Sequence, residues 1–264
     1  MPQPSHHDLI AALAREPLRH IVLLKQLLAW PEHVAAHRVT GAEGSATLVM
    51  LDAAASPWDR QTYPKARIAA FIASDHPALT ARLLAHVPAS ARVVFKLASE
   101  ADRAAVARQF ALERRTAFVS FTASERVEPD LIEPDRGVHF TRAPGDRAFA
   151  LFATQGHDRE WLEPMLGDGR AFACVLEHND RPLAVCFAFE NYGPVWEVGG
   201  VVTDPGHLRQ GLAARVVRTA LAELGERGLM PRYQVEEDNT ASIALARSVG
   251  LRPFVTLTHW AHGC

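Results

Sequence analysis

Residues 195–213 run Val-Trp-Glu-Val-Gly-Gly-Val-Val-Thr-Asp-Pro-Gly-His-Leu-Arg-Gln-Gly-Leu-Ala and hold the chain's sharpest chemistry. Glu197 is a lone carboxylate in an apolar strand, costly to bury unless it is paired or used. If it is used, Glu197 is a candidate general base; the plainer alternative is a carboxylate facing solvent or a neighbouring Arg. Beyond Asp204-Pro205-Gly206, the loop Leu208-Arg209-Gln210-Gly211-Leu212-Ala213 opens directly into an amphipathic helix. N–H groups of such a loop and first turn lack intrahelical partners, and the helix dipole adds positive potential, so the place suits phosphate.

Gly199-Gly200 permits a bulge with close backbone approach, or the packing of a ring such as Trp196 or Phe187 over the glycines. In a regular strand Glu197, Gly199, Val201 and Thr203 share one face, and Trp196, Val198, Gly200 and Val202 the other. A second motif, Asn239-Thr240-Ala241-Ser242-Ile243-Ala244-Leu245-Ala246-Arg247-Ser248-Val249-Gly250-Leu251, starts with a residue suited to cap a helix or to face a ligand. Ser242 follows on the same helical face. Arg209 and Arg247 are candidate phosphate partners, and Tyr192 and Tyr233 candidate proton donors. His259 and Trp260 are read as core or surface residues, the alternative being a place in a substrate pocket. Glu236-Glu237-Asp238 reads as a solvated turn or an attractor for a cation.

The elements that must position these residues follow from periodicity. Apolar residues at three- and four-residue spacing predict helices over 7–29, the second starting at Pro17. Strands are expected at Ala46–Leu51, Arg67–Ala73, Val93–Leu97 and Ala117–Thr122, with helices at Pro77–His86, capped by Asp75, and Glu100–Phe110, started by Ser99. A stretch rich in Pro, Asp and Glu then reads as a linker. Beyond it come a strand at Val138–Arg142, helices at Asp146–Gln155 and Arg159–Leu166, and a hairpin of Ala171–Glu177 and Pro182–Glu190 turning at His178-Asn179-Asp180. The strand Val195–Thr203, helix Leu212–Gly225, strand Arg232–Glu236, helix Asn239–Val249 with Gly250 as its stop, and strand Arg252–Trp260 complete the chain. Both halves end strand–helix–strand–helix–strand, which suggests an internal repeat. The first half has Asp75-His76-Pro77-Ala78 in place of the glycine loop.

With 48% hydrophobic and 22% charged residues, the 264-residue chain has the composition of a globular protein with room for one or two cores. A formal charge of −2 argues against nucleic acid as the main partner. Residues 1–125 carry 14 basic and 11 acidic side chains, and residues 126–264 carry 14 and 19, a mild surface difference. Cys174 and Cys186 read as buried thiols and Cys264 as exposed; three scattered cysteines make no disulfide framework, and the 13 histidines show no metal-ligand spacing. With no signal pattern and no membrane-length apolar run, a cytoplasmic location is expected, with neither metal nor membrane involved.

The order of elements in the second half, the Leu208–Ala213 loop and the Asn239-led helix together resemble the GNAT superfamily of acyl-CoA-dependent N-acyltransferases, over roughly residues 138–260. Gly211 and Ala213 match the family's Gln/Arg-x-x-Gly-x-Gly/Ala signature; Leu208 stands where Gln or Arg is usual, and Ala246 where many members carry an acid Tyr. The resemblance implies a mixed α/β GNAT-like catalytic domain over 138–264, a linker over 126–137, and a smaller degenerate GNAT-like α/β domain over 1–125, as in tandem and glycine N-acyltransferase-like arrangements. It implies acetyl-CoA or another acyl-CoA as co-substrate, held by Val201, Val202, Thr203, Leu208, Arg209, Gln210, Gly211, Leu212, Ala213, Asn239, Ser242 and Arg247. Glu197 lies where some histone-modifying members carry their catalytic Glu. The expected reaction is direct attack by a small primary amine of unknown identity, because no motif supplies an activated Cys or Ser. A homodimer is left open. The rival readings are a non-catalytic acyl-CoA-binding or regulatory module and, less favoured by the charge, an aminoacyl-transferring enzyme using tRNA.

Overall fold

The computed structural model describes residues 5–123 and 135–264. Of the expected linker, residues 126–134 lie outside the described residues. The chain forms two compact units, Met1–Phe118 with Val255–Cys264, and Val119–Phe254.

The first unit begins with helices α1 (His6–Leu13) and α2 (Pro17–Ala29). Ser5 and Asp8 form a capping box on α1, and Pro17 occupies the first turn of α2, where its missing N–H costs nothing. Strands β1 (Val34–Gly41), β2 (Gly44–Asp52), β3 (Ile68–Ser74) and β4 (Val93–Leu97) follow, with α3 (Pro57–Thr62), α4 (Pro77–Leu83) and α5 (Glu100–Ala107) between or after them, then β5 (Glu113–Thr122). The unit's sheet order is β1-β2-β3-β4-β11, its last member being the chain's final strand, β11 (Arg252–His262). The β3–β4 pair is parallel and in register along all five residues of β4, Ile68↔Val93 to Ile72↔Leu97.

Two elements here were not anticipated. β1 is an edge strand, half-exposed along much of its length, so it lacks a clean alternation. α3 is a single short helix, although Ser56, which accepts from the Asp59 N–H, and Pro57 did mark its start. Asp75 does not cap α4: its carboxylate accepts from the Ser45 N–H and Arg19, and His76 Nδ1 accepts from the Ala78 N–H instead. The helix expected to reach His86 tightens to a 3-10 turn after Leu83. Ser99 caps α5 as expected, accepting from Ala101 and Asp102.

The second unit has β6 (Val138–Thr141), α6 (Asp146–Ala153), α7 (Arg159–Gly167), β7 (Ala171–His178), β8 (Arg181–Tyr192), β9 (Val195–Thr203), α8 (Leu212–Glu226), β10 (Met230–Glu236) and α9 (Thr240–Ser248). Its sheet order is β10-β9-β8-β7-β6. Asn179 and Asp180, at φ 51° and 57°, make the primed two-residue turn that matches strand twist in a hairpin. One face of the sheet packs on α8 and α9, with Trp196, Val198, Val216, Val217, Ala220 and Tyr233 in the same cluster. The other packs on α6 and α7 through Phe149, Phe152, Leu162, Phe187 and Val202. Cys174 and Cys186 are buried free thiols facing each other across β7 and β8, whereas Cys264 is half-buried rather than exposed. Among the described residues no helix is long and apolar enough to cross a membrane, and no three potential ligand side chains gather as a metal site.

His259 and Trp260 belong to the first unit. Phe71, Lys96 and His259 are lateral neighbours on β3, β4 and β11. Lys96 Nζ lies 2.6 Å from Asp59 Oδ1 and 5.0 Å from the ring centroids of Trp58 and Phe71. His259 Nδ1 is 2.8 Å from the Tyr63 hydroxyl. Burial, with Lys96 second, pushes the His259 imidazolium down to about 3. That value lies below the unfolded one near 6.5, so as pH falls the unfolded chain takes up this proton first. The stability at stake is therefore fully present above about pH 6.5 and drains away towards pH 3. Going from pH 7 to 5 is expected to cost about 2 kcal/mol through this residue. Urea midpoints of wild type and His259→Gln should diverge by that amount in their acid dependence; parallel acid slopes would contradict it.

Candidate functional site

Parallel β9 and β10 are paired at Met230↔Val195, Pro231↔Trp196 and Arg232↔Glu197, three of the seven residues of β10. Beyond Glu197 and Arg232 the ladder stops, so the two strands part towards their C-terminal ends. Helices α8 and α9 both begin at that same edge. Backbone groups of β9 beyond Glu197 that would have faced β10 are thereby released from the sheet, a state that needs another partner.

A bulge accompanies the parting. Between Val185↔Val202 and Phe187↔Gly199, β9 carries one residue more than β8. Gly200 sits there at φ +58°, and a Cβ on it would stand 2.0 Å from Phe187 Cε1. Both offered explanations of the glycine pair therefore hold together: the strand bulges, and Phe187 fills the space a side chain would need. The extra residue also inverts the alternation. Val201 packs with Trp196 and Val198, while Val202 packs with Phe187 on the opposite side, correcting the regular two-face pattern expected for residues 197–203.

The loop that follows is held from below. His207, Arg181 and the Gly206 N–H hold the Asp204 carboxyl down to about 2, fixing the Pro205-Gly206 turn. Arg209 (φ 59°) and Gly211 (φ 76°) are both left-handed, and Gly211 caps α8 without a side chain. Among the described residues, no N–H from Leu208 to Ala214 donates a hydrogen bond; the next, on Arg215, reaches the Gly211 carbonyl. Leu208 is exposed and Leu212 is buried, the latter anchoring the helix start. Arg215 grips Asp135 through both oxygens, at 2.6 and 2.8 Å. This pairing holds the Asp135 carboxyl down to about 2.

Glu197 is buried beside Arg232. Its Oε2 accepts from Arg232 Nη1 at 2.5 Å and Asn191 Nδ2 at 2.8 Å; Oε1 accepts no hydrogen bond among the described residues, and 11% of the side chain stays exposed. Arg232 Nε and Asn191 Oδ1 are buried without partners among the described residues. Asn239 caps α9 through Oδ1, which accepts from the Ser242 N–H at 3.0 Å. Burial raises the Tyr233 hydroxyl, against an opposing pull from Ser242, so these two side chains meet where β10 leaves β9. Ala246 is fully buried in the α8–α9 core, while Arg247 is exposed in the last turn of α9, at the far end from Asn239.

This arrangement places a carboxylate, a parted strand pair and a run of unpaired N–H groups at one sheet edge. The family described as Acetyltransferase (GNAT) family matches over residues 140–251. Residues 140–251 are a GNAT acetyltransferase domain. The GNAT fold extends over nearly the whole chain. A GCN5-related N-acetyltransferase from Sphaerobacter thermophilus covers 98% of this chain and 93% of its own, at TM-score 0.64 and 14% identity. One from Kribbella flavida covers 97% and 96%, at 0.52 and 19%. A tandem GNAT protein from the clavulanic acid biosynthesis pathway covers 91% and 86%, at 0.52 and 13%. Comparison with curated proteins returns no match.

Of the partners of Glu197, a neighbouring Arg was among the alternatives, and the structure shows it to be Arg232; Asn191 was missed. A signal existed for the first: Glu197 and Arg232 are lone opposite charges in two apolar strands, and each needs a counter-charge if buried. The bulge makes the sharpest test. Gly200→Ala combines left-handed strain with a clash against Phe187 and should cost about 2–5 kcal/mol in urea unfolding. Gly211→Ala, with open space around its Cβ, should cost about 1 kcal/mol. Equal, small losses would mean that the bulge is not rigidly specified.

Proposed function

We propose that the second unit is an acyl-CoA-dependent N-acyltransferase that passes an acyl group, most simply acetyl from acetyl-CoA, directly to a primary amine. The observation that carries this reading is the β9–β10 ladder ending at Arg232↔Glu197 beside seven N–H groups, Leu208 to Ala214, that have no partner among the described residues. The residues fit the co-substrate. The N–H groups of Leu208, Arg209, Gln210, Gly211, Leu212 and Ala213 take the pyrophosphate oxygens, with the Arg209 side chain adding charge. The backbone of Val201, Val202 and Thr203 offers strand-like pairing to the pantetheine amides and an N–H towards the thioester carbonyl oxygen. Asn239 and Ser242 line the α9 side. When bound, acyl-CoA supplies the activated acyl group.

Glu197 takes the proton of the incoming ammonium. Arg232 and Asn191 occupy one oxygen and orient the carboxylate, which leaves Oε1 for the amine or an intervening water. Tyr233 replaces the acid that Ala246 cannot supply. It lies on the opposite sheet face from Glu197, and burial keeps its hydroxyl protonated, fit to donate to the departing thiolate. A second reading, an acyl-CoA-binding module without turnover, draws support from the ion pair that engages Glu197.

Isothermal titration should show acetyl-CoA binding by wild type and, with little change, by Glu197→Gln. The same substitution should lower turnover about 100-fold or more. Binding by both proteins with no transfer to any amine would favour the non-catalytic module; no binding would end the acyl-CoA reading.

A further inference from the structure

The first unit holds a polar cavity to which the proposed acyl transfer assigns no role. On β2, Ala46 and Leu48 pack with Leu79 and Leu83 of α4 and Val106 of α5. Side chains alternate along a strand, so Ser45 and Thr47 point to the other face, towards α1 and α2. Thr47 stands between Arg38 on β1 and Ala73 on β3, its partners in the two ladders. Arg38, Thr47 and Ala73 thus form a row across three strands, and the two small residues leave space beneath the helices. A cavity of about 180 Å³ fills that space, bounded by the row, by Ser45 and Asp75, and by the corner between α1 and α2. Thr47 is 3% exposed, and its hydroxyl has no hydrogen-bond partner among the described residues. A buried hydroxyl in that state needs a partner.

The charges at the cavity do not cancel. Arg19 takes both acids, Glu16 at 2.9 Å and Asp75 at 2.8 Å, and Asp75 also accepts from the Ser45 N–H at 2.8 Å. Arg38 makes one weak hydrogen bond, from Nη2 to Ser45 Oγ at 3.3 Å. Neither Arg38 nor Arg15, at the α1–α2 corner, has a carboxylate partner among the described residues. Burial, then Arg19, lowers the His20 imidazolium, so this ring is mostly neutral at pH 7. Three guanidinium groups therefore face two carboxylates, and one positive charge is left over. A guanidinium presents its donors in a planar fork that matches a carboxylate. A phosphate dianion would exceed the single charge and meet Asp75. An ammonium-bearing ligand would find both acids already engaged by Arg19.

We infer that this cavity binds a small monocarboxylate carrying a hydroxyl or oxo group, its carboxylate on Arg38 and its second oxygen at the Thr47 hydroxyl beside it. The ligand supplies the missing negative charge and the partner that Thr47 lacks. The site is built from first-unit residues alone and stands whether or not the second unit transfers acyl groups.

The test is isothermal titration of the full chain at pH 7 with L-lactate, L-alanine and inorganic phosphate. Lactate should bind about 10-fold or more tightly than either of the others. Arg38→Met and Thr47→Val should each weaken lactate about 10-fold or more, the weight of one charge-assisted hydrogen bond, with unchanged far-UV circular dichroism. Arg38 has no ion pair to lose and Val matches Thr in shape, so the two variants probe the site by independent routes. No lactate binding by wild type, tighter binding of alanine or phosphate, or lactate affinity within about twofold of wild type in either folded variant would overturn the inference.

Discussion

The second unit depends on one residue's backbone more than on any side chain. Gly200 is left-handed in mid-strand, with Phe187 lying where its Cβ would be. Its extra residue shifts β9 against β8, moves Val202 to the α6–α7 side and brings Val201 back to the α8–α9 side. Three positions earlier, the pairing between β9 and β10 ends. A parallel strand that gives up its neighbour exposes backbone donors and acceptors, which carry a free-energy cost unless water or a ligand meets them. The loop beyond adds unpaired N–H groups at the same edge. The fold thus holds a region of unsatisfied polarity open, and an amide-bearing, phosphate-bearing ligand is what that polarity suits.

The first half of the chain closes on the same strand–helix–strand–helix–strand order, β3 to β5, without these features. Its parallel pair, β3 and β4, remains joined along the whole of β4, and the β2–β3 ladder runs without a register shift. Asp75, at the turn into α4, has its carboxylate engaged by Ser45 and Arg19, whereas the second unit has a run of N–H groups without partners among the described residues. Inside the first unit Lys96 and Asp59 pair under Trp58, with Tyr63 and His259 beside them. Buried ion pairs of this kind are costly to break from one side, which suits a packing role.

Much of this was legible in the sequence because its signals are local. Pro17, Ser99, the Asn179-Asp180 turn and Gly211 each act within a few residues of the element they start or stop. The site's element order was legible for the same reason. Non-local facts were not. One inserted residue inverts which face Val201 and Val202 occupy, and the glycine pair alone does not say which residue bulges. Arg232 meets Glu197 only through a crossover that brings two distant strands into register. β1 escaped notice because an edge strand buries too little to impose alternation.

Amide hydrogen exchange with and without CoA tests the central claim most directly, since it reads the backbone groups themselves. Without ligand, amides across residues 198–203 and 208–214 should exchange quickly relative to the rest of the second unit's sheet. Saturating CoA should slow both segments together and leave residues 68–78 of the first unit unchanged. Unaltered exchange at 198–203 and 208–214, or protection appearing instead around residues 68–78, would contradict the account.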